Sequence, residues 1–335
     1  MEQRIRLQVR ALSFPVADTL LVQFEPMGAT YEAGQHLTLL LQPGRSEIRR
    51  SYSLCSLPTD PYPAIAITRV ANGEASRWLH EKLEVGQWLD SLAPSGRFLL
   101  EDAPELVFLA AGSGITPIYP LVRQALLTNN SRIQLYYAEK TPETTLFYHE
   151  LLDLQAQYPE RFTLHWHFSQ VVNRQTHFSG RLNQYVLEKS LAQQTNKQNF
   201  RFYACGPHSF LRLIRLSLQF MGFADGQIKR ENFASEGIPM AGTKPERAEK
   251  MVDIQLGERH YCQSNQLSLL EGARQAGIHL PYSCNNGQCG TCAIRLKHGR
   301  VVHRINEVLT DKELAEGYVL SCTAYPVSDR LEVMS

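Results

Sequence analysis

The stretch Leu106-Val107-Phe108-Leu109-Ala110-Ala111-Gly112-Ser113-Gly114-Ile115-Thr116-Pro117 decides the fold of the middle of the chain. An apolar run leads into a turn with two glycines, and a proline then stands at an early helical position. This order predicts a buried strand, a tight turn and a helix, with the backbone of the turn open to a phosphate group. Pro117 replaces the third glycine of the general dinucleotide motif G-x-G-x-x-G, so the match to that motif is partial.

The same alternation of strand and helix continues around this stretch, from about residue 104 to 233. Apolar runs of strand length alternate with longer amphipathic segments, which is typical of a parallel, doubly wound α/β sheet. The predicted strands cover 106–111, 133–138, 162–168 and 202–205, and the predicted helices cover 117–127, 146–157 and 210–221.

The residues before this unit show a different pattern of apolar residues and turns. Short runs with apolar residues at every second position, such as Leu37, Leu39 and Leu41, are separated by turns rich in proline and glycine. One helix is predicted, over 75–83. We therefore expect residues 1–102 to form an antiparallel β-barrel and residues 103–233 to form the α/β domain.

Four of the seven cysteines form one arrangement near the end of the chain, C-x4-C-x2-C with a distant fourth: Cys284, Cys289, Cys292 and Cys322. A [2Fe–2S] cluster needs four thiolates, and the small residues between them offer N–H groups to cluster sulfurs. A structural zinc site is the alternative, but zinc sites favour pairs of cysteines two residues apart. The spacing therefore favours a cluster, in a third domain over 250–335 after a linker over 234–249.

Two short motifs in the barrel suit a flavin nucleotide. In Arg50-Ser51-Tyr52-Ser53 an extended backbone would place Arg50 and Tyr52 on one face and Ser53 on the other. An arginine suits a pyrophosphate, and the N-terminus of the helix after Gly73 offers free N–H groups to the same phosphates. An ordinary barrel strand is the alternative interpretation of the first motif.

These motifs together resemble a known family. Pro281-Tyr282-Ser283-Cys284, Cys289-Gly290-Thr291-Cys292 and Leu320-Ser321-Cys322 are similar to a plant-type [2Fe–2S] ferredoxin domain, and the preceding part resembles the ferredoxin–NADP reductase family. The resemblance implies an antiparallel FAD barrel, an α/β NAD(P) domain and a β-grasp-like ferredoxin domain. It assigns to FAD the residues Arg50, Tyr52, Ser53, Arg69, Gly73, Ala75, Ser76 and Phe233.

The resemblance also implies how NADH or NADPH is bound and used. The nucleotide is assigned Gly112, Gly114, Thr116, Pro117, Cys205, Gly206 and Pro207, with Ser53, Cys205 and Glu231 as catalytic residues. Cys205 is then expected near the nicotinamide C4, although a buried packing thiol and, for Phe233, a core residue are the alternatives. Glu139 ends the second strand of the α/β unit, where a carboxylate favours NADH, whereas Lys140 beside it favours NADPH.

The expected function is an NAD(P)H-dependent oxidoreductase that passes electrons through FAD and a [2Fe–2S] cluster to a protein acceptor, as in the reductase components of phenylacetyl-CoA oxygenases. A reductase of a hybrid-cluster protein, a stand-alone ferredoxin or flavodoxin reductase and a zinc-stabilised adaptor are the alternatives. The net charge of +1 gives no reason to expect nucleic acid or a membrane surface as a partner, and a cytoplasmic location is expected. Acidic residues Asp311, Glu313 and Glu316 are a candidate docking patch for the acceptor, with a solvated helix face as the alternative.

Overall fold

The computed structural model describes residues 3–43, 47–70, 73–170, 178–191, 196–233, 248–282, 285, 287, 290–306, 308–309 and 311–334. The predicted linker over 234–249 lies outside the described residues except for its last two positions, and so do Cys284 and Cys289.

The first region is an antiparallel barrel. Its elements are β1 (Arg4–Val16), β2 (Thr19–Phe24), β3 (His36–Leu41), β4 (Ile48–Ser53), β5 (Ala64–Thr68), α1 (Glu74–Lys82) and β6 (Trp88–Ser95). The strand order is β4-β3-β6-β1-β2-β5, and an antiparallel bridge between Leu54 and Ile65 joins the two ends of the sheet. The alternating apolar residues predicted to face inwards, including Leu37 and Leu39, are fully buried inside it.

The second region is a parallel sheet with helices against it, as the alternation predicted. Its elements are β7 (Glu105–Ala111), α2 (Ile115–Thr128), β8 (Arg132–Glu139), α3 (Tyr148–Gln157), β9 (Phe162–Phe168), β10 (Phe178–Ser179), α4 (Gln184–Leu191), β11 (Phe200–Gly206), α5 (His208–Phe220) and β12 (Ile228–Asn232). The strand order β10-β9-β8-β7-β11-β12 places β7 and β11 side by side. The turns that follow these two strands therefore lie together at the carboxyl ends of the sheet. Open α/β sheets bind nucleotides at the carboxyl ends of their strands.

The third region is a mixed sheet with one helix packed on it. Its elements are β13 (Met251–Leu256), β14 (Arg259–Ser264), α6 (Leu269–Gln275), β15 (Ala293–His298), β16 (Val301–His303), α7 (Asp311–Ala315), β17 (Tyr318–Leu320), β18 (Ala324–Pro326) and β19 (Arg330–Met334). Five strands run in the order β14-β13-β19-β15-β17, with β13 and β19 parallel. A capping box starts α6, since Ser268 accepts the Glu271 N–H at 3.2 Å and Glu271 accepts the Ser268 N–H at 2.9 Å.

The apolar cores follow these regions unequally. One buried cluster joins barrel residues such as Leu57 and Phe98 to α/β residues such as Ile118 and Leu121. A second cluster consists wholly of residues between Val252 and Val333. Among the described residues, no helix is long and apolar enough to span a membrane.

Candidate functional site

A cavity, which we call the flavin cavity, opens between the barrel and the α/β sheet where distant segments meet. Residues of β4, α1, the beginning of α2 and the residue after β12 line it together: Arg50, Tyr52, Ser53, Ser76, Thr116 and Phe233. Four of these residues were predicted to bind FAD from separate motifs, and Phe233 was a fifth candidate from another part of the chain. The structure brings them to one place, which is the arrangement that a flat ring and its phosphate tail require.

The first turn of α1 borders this cavity through Ser76. Gly73 has an extended backbone, and within the described residues no side chain caps the N–H groups of the first turn, which contains Ala75 and Ser76. The Ser76 hydroxyl instead accepts the Val70 N–H at 3.1 Å and donates to the Gly73 carbonyl at 3.4 Å, so it shapes the loop that leads into the helix. Uncapped N–H groups beside Arg50 fit a pyrophosphate.

Arg69, the weakest of the FAD assignments, lies apart from this cavity. Its guanidinium donates to Glu81 at 3.1 Å on the exposed side of α1. It lines a neighbouring cavity together with Gly112 and Glu139, on the side of the α/β sheet. The structure therefore places Arg69 in the lining of a cavity that it shares with residues assigned to the nucleotide.

The three predicted catalytic residues lie beside one another, and one of them, Ser53, lines the flavin cavity. Ser53 ends β4, and its hydroxyl donates to the Glu231 carboxylate at 3.5 Å. Cys205 and Glu231 are register partners on β11 and β12. All three are buried, and burial together with the Glu231 charge raises the pKa of the Cys205 thiol well above its ordinary value. The thiol is therefore protonated at neutral pH and cannot act as a thiolate.

The turn after β7 and the turn after β11 touch through their glycines. A Cβ on Gly114 would lie 2.1 Å from the Cys205 carbonyl oxygen, and a Cβ on Gly206 would lie 2.9 Å from the Ala111 side chain. Only glycine fits at such an approach, and Gly112 has a φ of +55°, which also favours glycine. Pro117 is buried in the first turn of α2, and Pro207 is the N-cap of α5.

The cavity next to Gly112 has the chemistry of a ribose site. Gly112, Ser113, Tyr137, Glu139 and Lys140 line it. One Glu139 oxygen accepts the Lys140 N–H at 2.8 Å, and a Cβ built on Gly112 would lie 3.7 Å from the other oxygen. Burial raises the pKa of the Glu139 carboxyl, although the Lys140 N–H and charge oppose the shift.

The two described cysteines of the cluster motif converge in the third region. The sulfur atoms of Cys292 and Cys322 are 3.1 Å apart, and both residues are buried. Asn285, Gly287 and Gly290 of the same loop have positive φ angles, which turns the chain tightly between the cysteines. Two buried thiols this close, one at the end of a loop with glycines and one from a distant turn, fit an iron–sulfur cluster. Cys284 and Cys289 lie outside the described residues.

Polar contacts join this loop region to the flavin barrel. His36 Nε2 on β3 lies 3.0 Å from the Thr291 hydroxyl, and Arg49 on β4 donates to the Tyr282 carbonyl oxygen at 3.4 Å. The Arg49 guanidinium also lies 4.3 Å from the centre of the Tyr282 ring. At another point of the interface, Arg97 forms an ion pair with Glu313 at 2.9 Å.

Comparison with known proteins matches all three regions to described families. Residues 12–99 match an oxidoreductase FAD-binding domain, residues 108–215 an oxidoreductase NAD-binding domain, and residues 253–327 a 2Fe-2S iron-sulfur cluster binding domain. The chain belongs to the ferredoxin–NADP reductase family with a C-terminal [2Fe–2S] domain. The prediction of a cluster is confirmed, and the zinc alternative is wrong.

Similar proteins support this membership along the whole chain. The ferredoxin reductase component of 3-ketosteroid-9-alpha-monooxygenase from Mycobacterium tuberculosis is 35% identical over 97% of this chain and 91% of its own length. One of the subunits of 1,2-phenylacetyl-CoA epoxidase from Escherichia coli is 30% identical over 98% of this chain and 96% of its own length. The structure of phthalate dioxygenase reductase shares the fold with a TM-score of 0.63 at 23% identity, over 99% of this chain and 98% of that chain.

The predicted fold class, enzyme class and cofactors are thereby confirmed. This member of the family is an NAD(P)H-dependent oxidoreductase with FAD and a [2Fe–2S] cluster, and electrons pass from the nucleotide through the flavin to the cluster.

Sequence reasoning missed the residues at the meeting points of the regions. Thr68 and Val70 line the flavin cavity, and His36, Arg49 and Arg97 contact the third region. In the sequence these residues look like ordinary barrel positions. Their role depends on which loop packs against them, and no local pattern carries that information.

Proposed function

We propose that the chain is the reductase component of an oxygenase system, in which residues 1–102 bind FAD, 103–233 bind NADH, 234–249 link and 250–335 carry the cluster. One observation carries the proposal above all: β3 and β4, the strands that pair beside the flavin cavity, also contact both flanks of the cysteine loop. A single pair of strands thus lies between the site for a two-electron donor and the site for a one-electron carrier.

The FAD assignments rest on position and charge. Arg50 and the uncapped first turn of α1 would hold the pyrophosphate, because charge-assisted hydrogen bonds to phosphate are the stronger ones. Tyr52 and Phe233 would contact the flat ring. When bound, FAD accepts a hydride from the nicotinamide and the cluster accepts electrons singly, so the protein contributes position and electrostatics.

The buried pair of Ser53 and Glu231 would handle the proton. The Ser53 hydroxyl holds a proton that it donates to the Glu231 carboxylate, and Glu231 also lines the cleft at the junction with the third region. Ser53 and Glu231 would therefore connect the buried flavin cavity to solvent. The neutral Cys205 thiol would pack against the nicotinamide without adding a negative charge there.

The acceptor is proposed to be an oxygenase component, of the phenylacetyl-CoA oxygenase kind. Two relatives that match nearly the whole chain are named as parts of a monooxygenase or an epoxidase, which supports a protein acceptor of this class. The predicted acidic docking patch needs revision in one respect. Glu313 is already paired with Arg97 inside the chain, so it serves the internal interface.

Replacement of Cys289 by serine tests the proposal. We expect the purified variant to lose the cluster absorbance and the delivery of electrons to one-electron protein acceptors, while it retains FAD and NADH-driven reduction of the flavin. The reason is that, among the described residues, the core of the ferredoxin region contains none of those assigned to the flavin or the nucleotide. Loss of flavin reduction in a folded Cys289→Ser protein contradicts the proposed division of labour.

A further inference from the structure

Both flanks of the cysteine loop are held by neighbouring strands of the barrel. Tyr282 stands two positions before Cys284, and Thr291 stands one position before Cys292. Tyr282 is contacted by Arg49 of β4, and Thr291 is contacted by His36 of β3. The two contacts therefore fix the entry and the exit of the loop to one pair of strands.

One of these strands, β4, lines the flavin cavity, and β3 pairs with it. His36 is the register partner of Ser53, and Arg49 directly precedes Arg50, which lines the cavity. Each contact to the loop flank is thus within one residue, or one strand pairing, of a residue assigned to FAD. A shift of either contact would therefore change the distance between the cysteine loop and the flavin cavity.

The Arg49 side chain is held in this position by burial and by a neighbouring carboxylate. Its side chain is only 10% exposed, and its Nε donates to Glu47 at 3.2 Å, which orients the guanidinium. The planar group lies over the Tyr282 ring, and the Arg274 guanidinium of α6 lies 5.4 Å from the centre of the same ring. A flat cation over an aromatic face fixes both the distance and the orientation of the ring.

His36 is equally constrained. It is fully enclosed, and its Nε2 lies 3.4 Å from the Ser95 hydroxyl as well as 3.0 Å from the Thr291 hydroxyl. A Cβ on Gly96 would lie 3.2 Å from the His36 Nδ1, so the ring is packed on its other edge. The imidazole has little freedom to follow a loop that moves.

We infer that Arg49 and His36 are positioning residues for the transfer of electrons from FAD to the cluster, by holding Tyr282 and Thr291 against the flavin strands. The inference rests on the proposed function. In the step they would serve, one electron would pass from the reduced flavin to the oxidised cluster, and the second would follow once a protein acceptor has reoxidised the cluster. The rate of electron transfer falls steeply as the distance between donor and acceptor grows, so a shift of either contact would slow this step.

Stopped-flow reduction by NADH and hydrogen–deuterium exchange of the complete protein test the inference together. In Arg49→Leu we expect flavin reduction at the unaltered rate, cluster reduction slowed several-fold, and faster amide exchange in the segments that contain Tyr282 and Thr291. Arg10→Leu is the matched control, because Arg10 also pairs with a carboxylate, Glu25 at 3.0 Å, and lies over a ring, Tyr62 at 3.8 Å, within the barrel. It should leave both rates and the exchange unchanged.

Conservative changes separate positioning from a general loss of structure. Tyr282→Phe keeps the ring and should match the unaltered protein, whereas Tyr282→Leu should behave as Arg49→Leu. Thr291→Ser keeps the hydroxyl that contacts His36, and Thr291→Val removes it, so only the valine variant should slow cluster reduction. Cluster content, measured by absorbance, is compared in every variant so that rates are expressed per loaded cluster.

Three results would overturn the inference. They are unaltered exchange and cluster reduction in Arg49→Leu, an equal slowing of flavin and cluster reduction, and a Tyr282→Phe variant as slow as Tyr282→Leu. A failure of the proposed function is distinguishable, since it would show as an absence of flavin reduction by NADH in the unaltered protein. The exchange measurement still tests the contacts in that case.

Discussion

The barrel makes two interfaces that differ in kind. Towards the α/β sheet it shares a continuous buried core, in which Leu57 and Phe98 pack in one cluster with Ile118 and Leu121. Towards the ferredoxin region the described contacts are mainly polar: His36 with Thr291, Arg49 with Tyr282 and Arg97 with Glu313. Within the part of the chain that the structure describes, the core of the ferredoxin region includes no barrel residue.

This difference corresponds to what each interface has to do. Hydride transfer needs the nicotinamide and the flavin in one fixed geometry, and a shared apolar core provides a permanent one. The cluster has to receive electrons from the flavin and pass them to another protein. A polar interface also holds the ferredoxin region in register. Its separation costs less free energy than that of an apolar core, because the polar groups form hydrogen bonds with water once the two surfaces part.

Removal of the ferredoxin region is the most severe test of this contrast. A chain that ends at residue 236 should keep FAD and NADH-driven flavin reduction, since it retains the whole shared core, but it should support no oxygenase turnover. Flavin reduction is measured by stopped-flow bleaching, and turnover by product formation with the oxygenase component. If the shortened chain drives the oxygenase at the rate of the complete one, the electron path through the cluster is wrong.

The sequence predicted the parts of this arrangement better than their assembly. The glycine turn at 112–114 and the cysteine spacing are local signals, and each has the expected structure or family match. The helix α4 (Gln184–Leu191) was not predicted, because its amphipathic run is only eight residues long and gives a weak periodic signal. Interface residues such as Arg49 give no local signal, because their partners lie more than 200 residues away in the chain.

The second test concerns the α/β sheet, which forms one side of the permanent interface, at the point where the turns after β7 and β11 meet. In Gly114→Ala the new Cβ would meet the carbonyl group of Cys205, with 2.1 Å to the oxygen and 2.4 Å to the carbon. Backbone atoms cannot move aside cheaply, so we expect a loss of about 3 kcal/mol in unfolding free energy and a large rise in the KM for NADH. Urea unfolding and steady-state kinetics measure both.

Gly226→Ala is the control for that change. It lies in the same region, and a Cβ there would meet no described atom within 4 Å. It should cost little and leave the KM unchanged. Equal effects of the two substitutions would show that the close approach of the two turns does not matter for nucleotide use.

A smaller effect is expected from the ion pair that supports the shared core. Arg123 donates to both oxygens of Asp60, at 2.6 and 2.8 Å, and so joins α2 to the barrel. Burial alone would raise the pKa of Asp60, but the hydrogen bonds from Arg123 and from the Leu57 N–H lower it below its ordinary value. The pair therefore stabilises the fold at neutral pH, and the contribution is lost as the pH falls through the lowered pKa.

Arg123→Met should thus reduce the unfolding free energy by about 1 to 2 kcal/mol at pH 7, a partly exposed pair being worth less than a buried one. The deficit should shrink when the measurement is repeated at a pH where Asp60 is protonated. Arg6→Met is the comparison, since its pair with Asp90 at 3.7 Å is exposed and stays within the barrel. A deficit as small as that of Arg6→Met would mean that apolar packing alone holds this interface.

The smallest effect is expected at the cavity next to Gly112, where we expect Glu139 to decide between NADH and NADPH. Its carboxylate lies beside Gly112 and Lys140, and a negative charge there repels a 2′-phosphate while it accepts hydrogen bonds from ribose hydroxyls. We expect a higher kcat/KM for NADH, and a several-fold weaker preference in Glu139→Gln. Because burial raises the pKa of this carboxyl above its ordinary 4.5, it becomes neutral at a higher pH than an exposed glutamate. Discrimination against NADPH should therefore weaken as the pH is lowered towards that raised pKa, and the glutamine variant should show no such dependence. Ratios of kcat/KM measured across this pH range decide the matter. An NADPH preference in the unaltered protein, lost in Lys140→Ala, would assign the choice of nucleotide to the lysine instead.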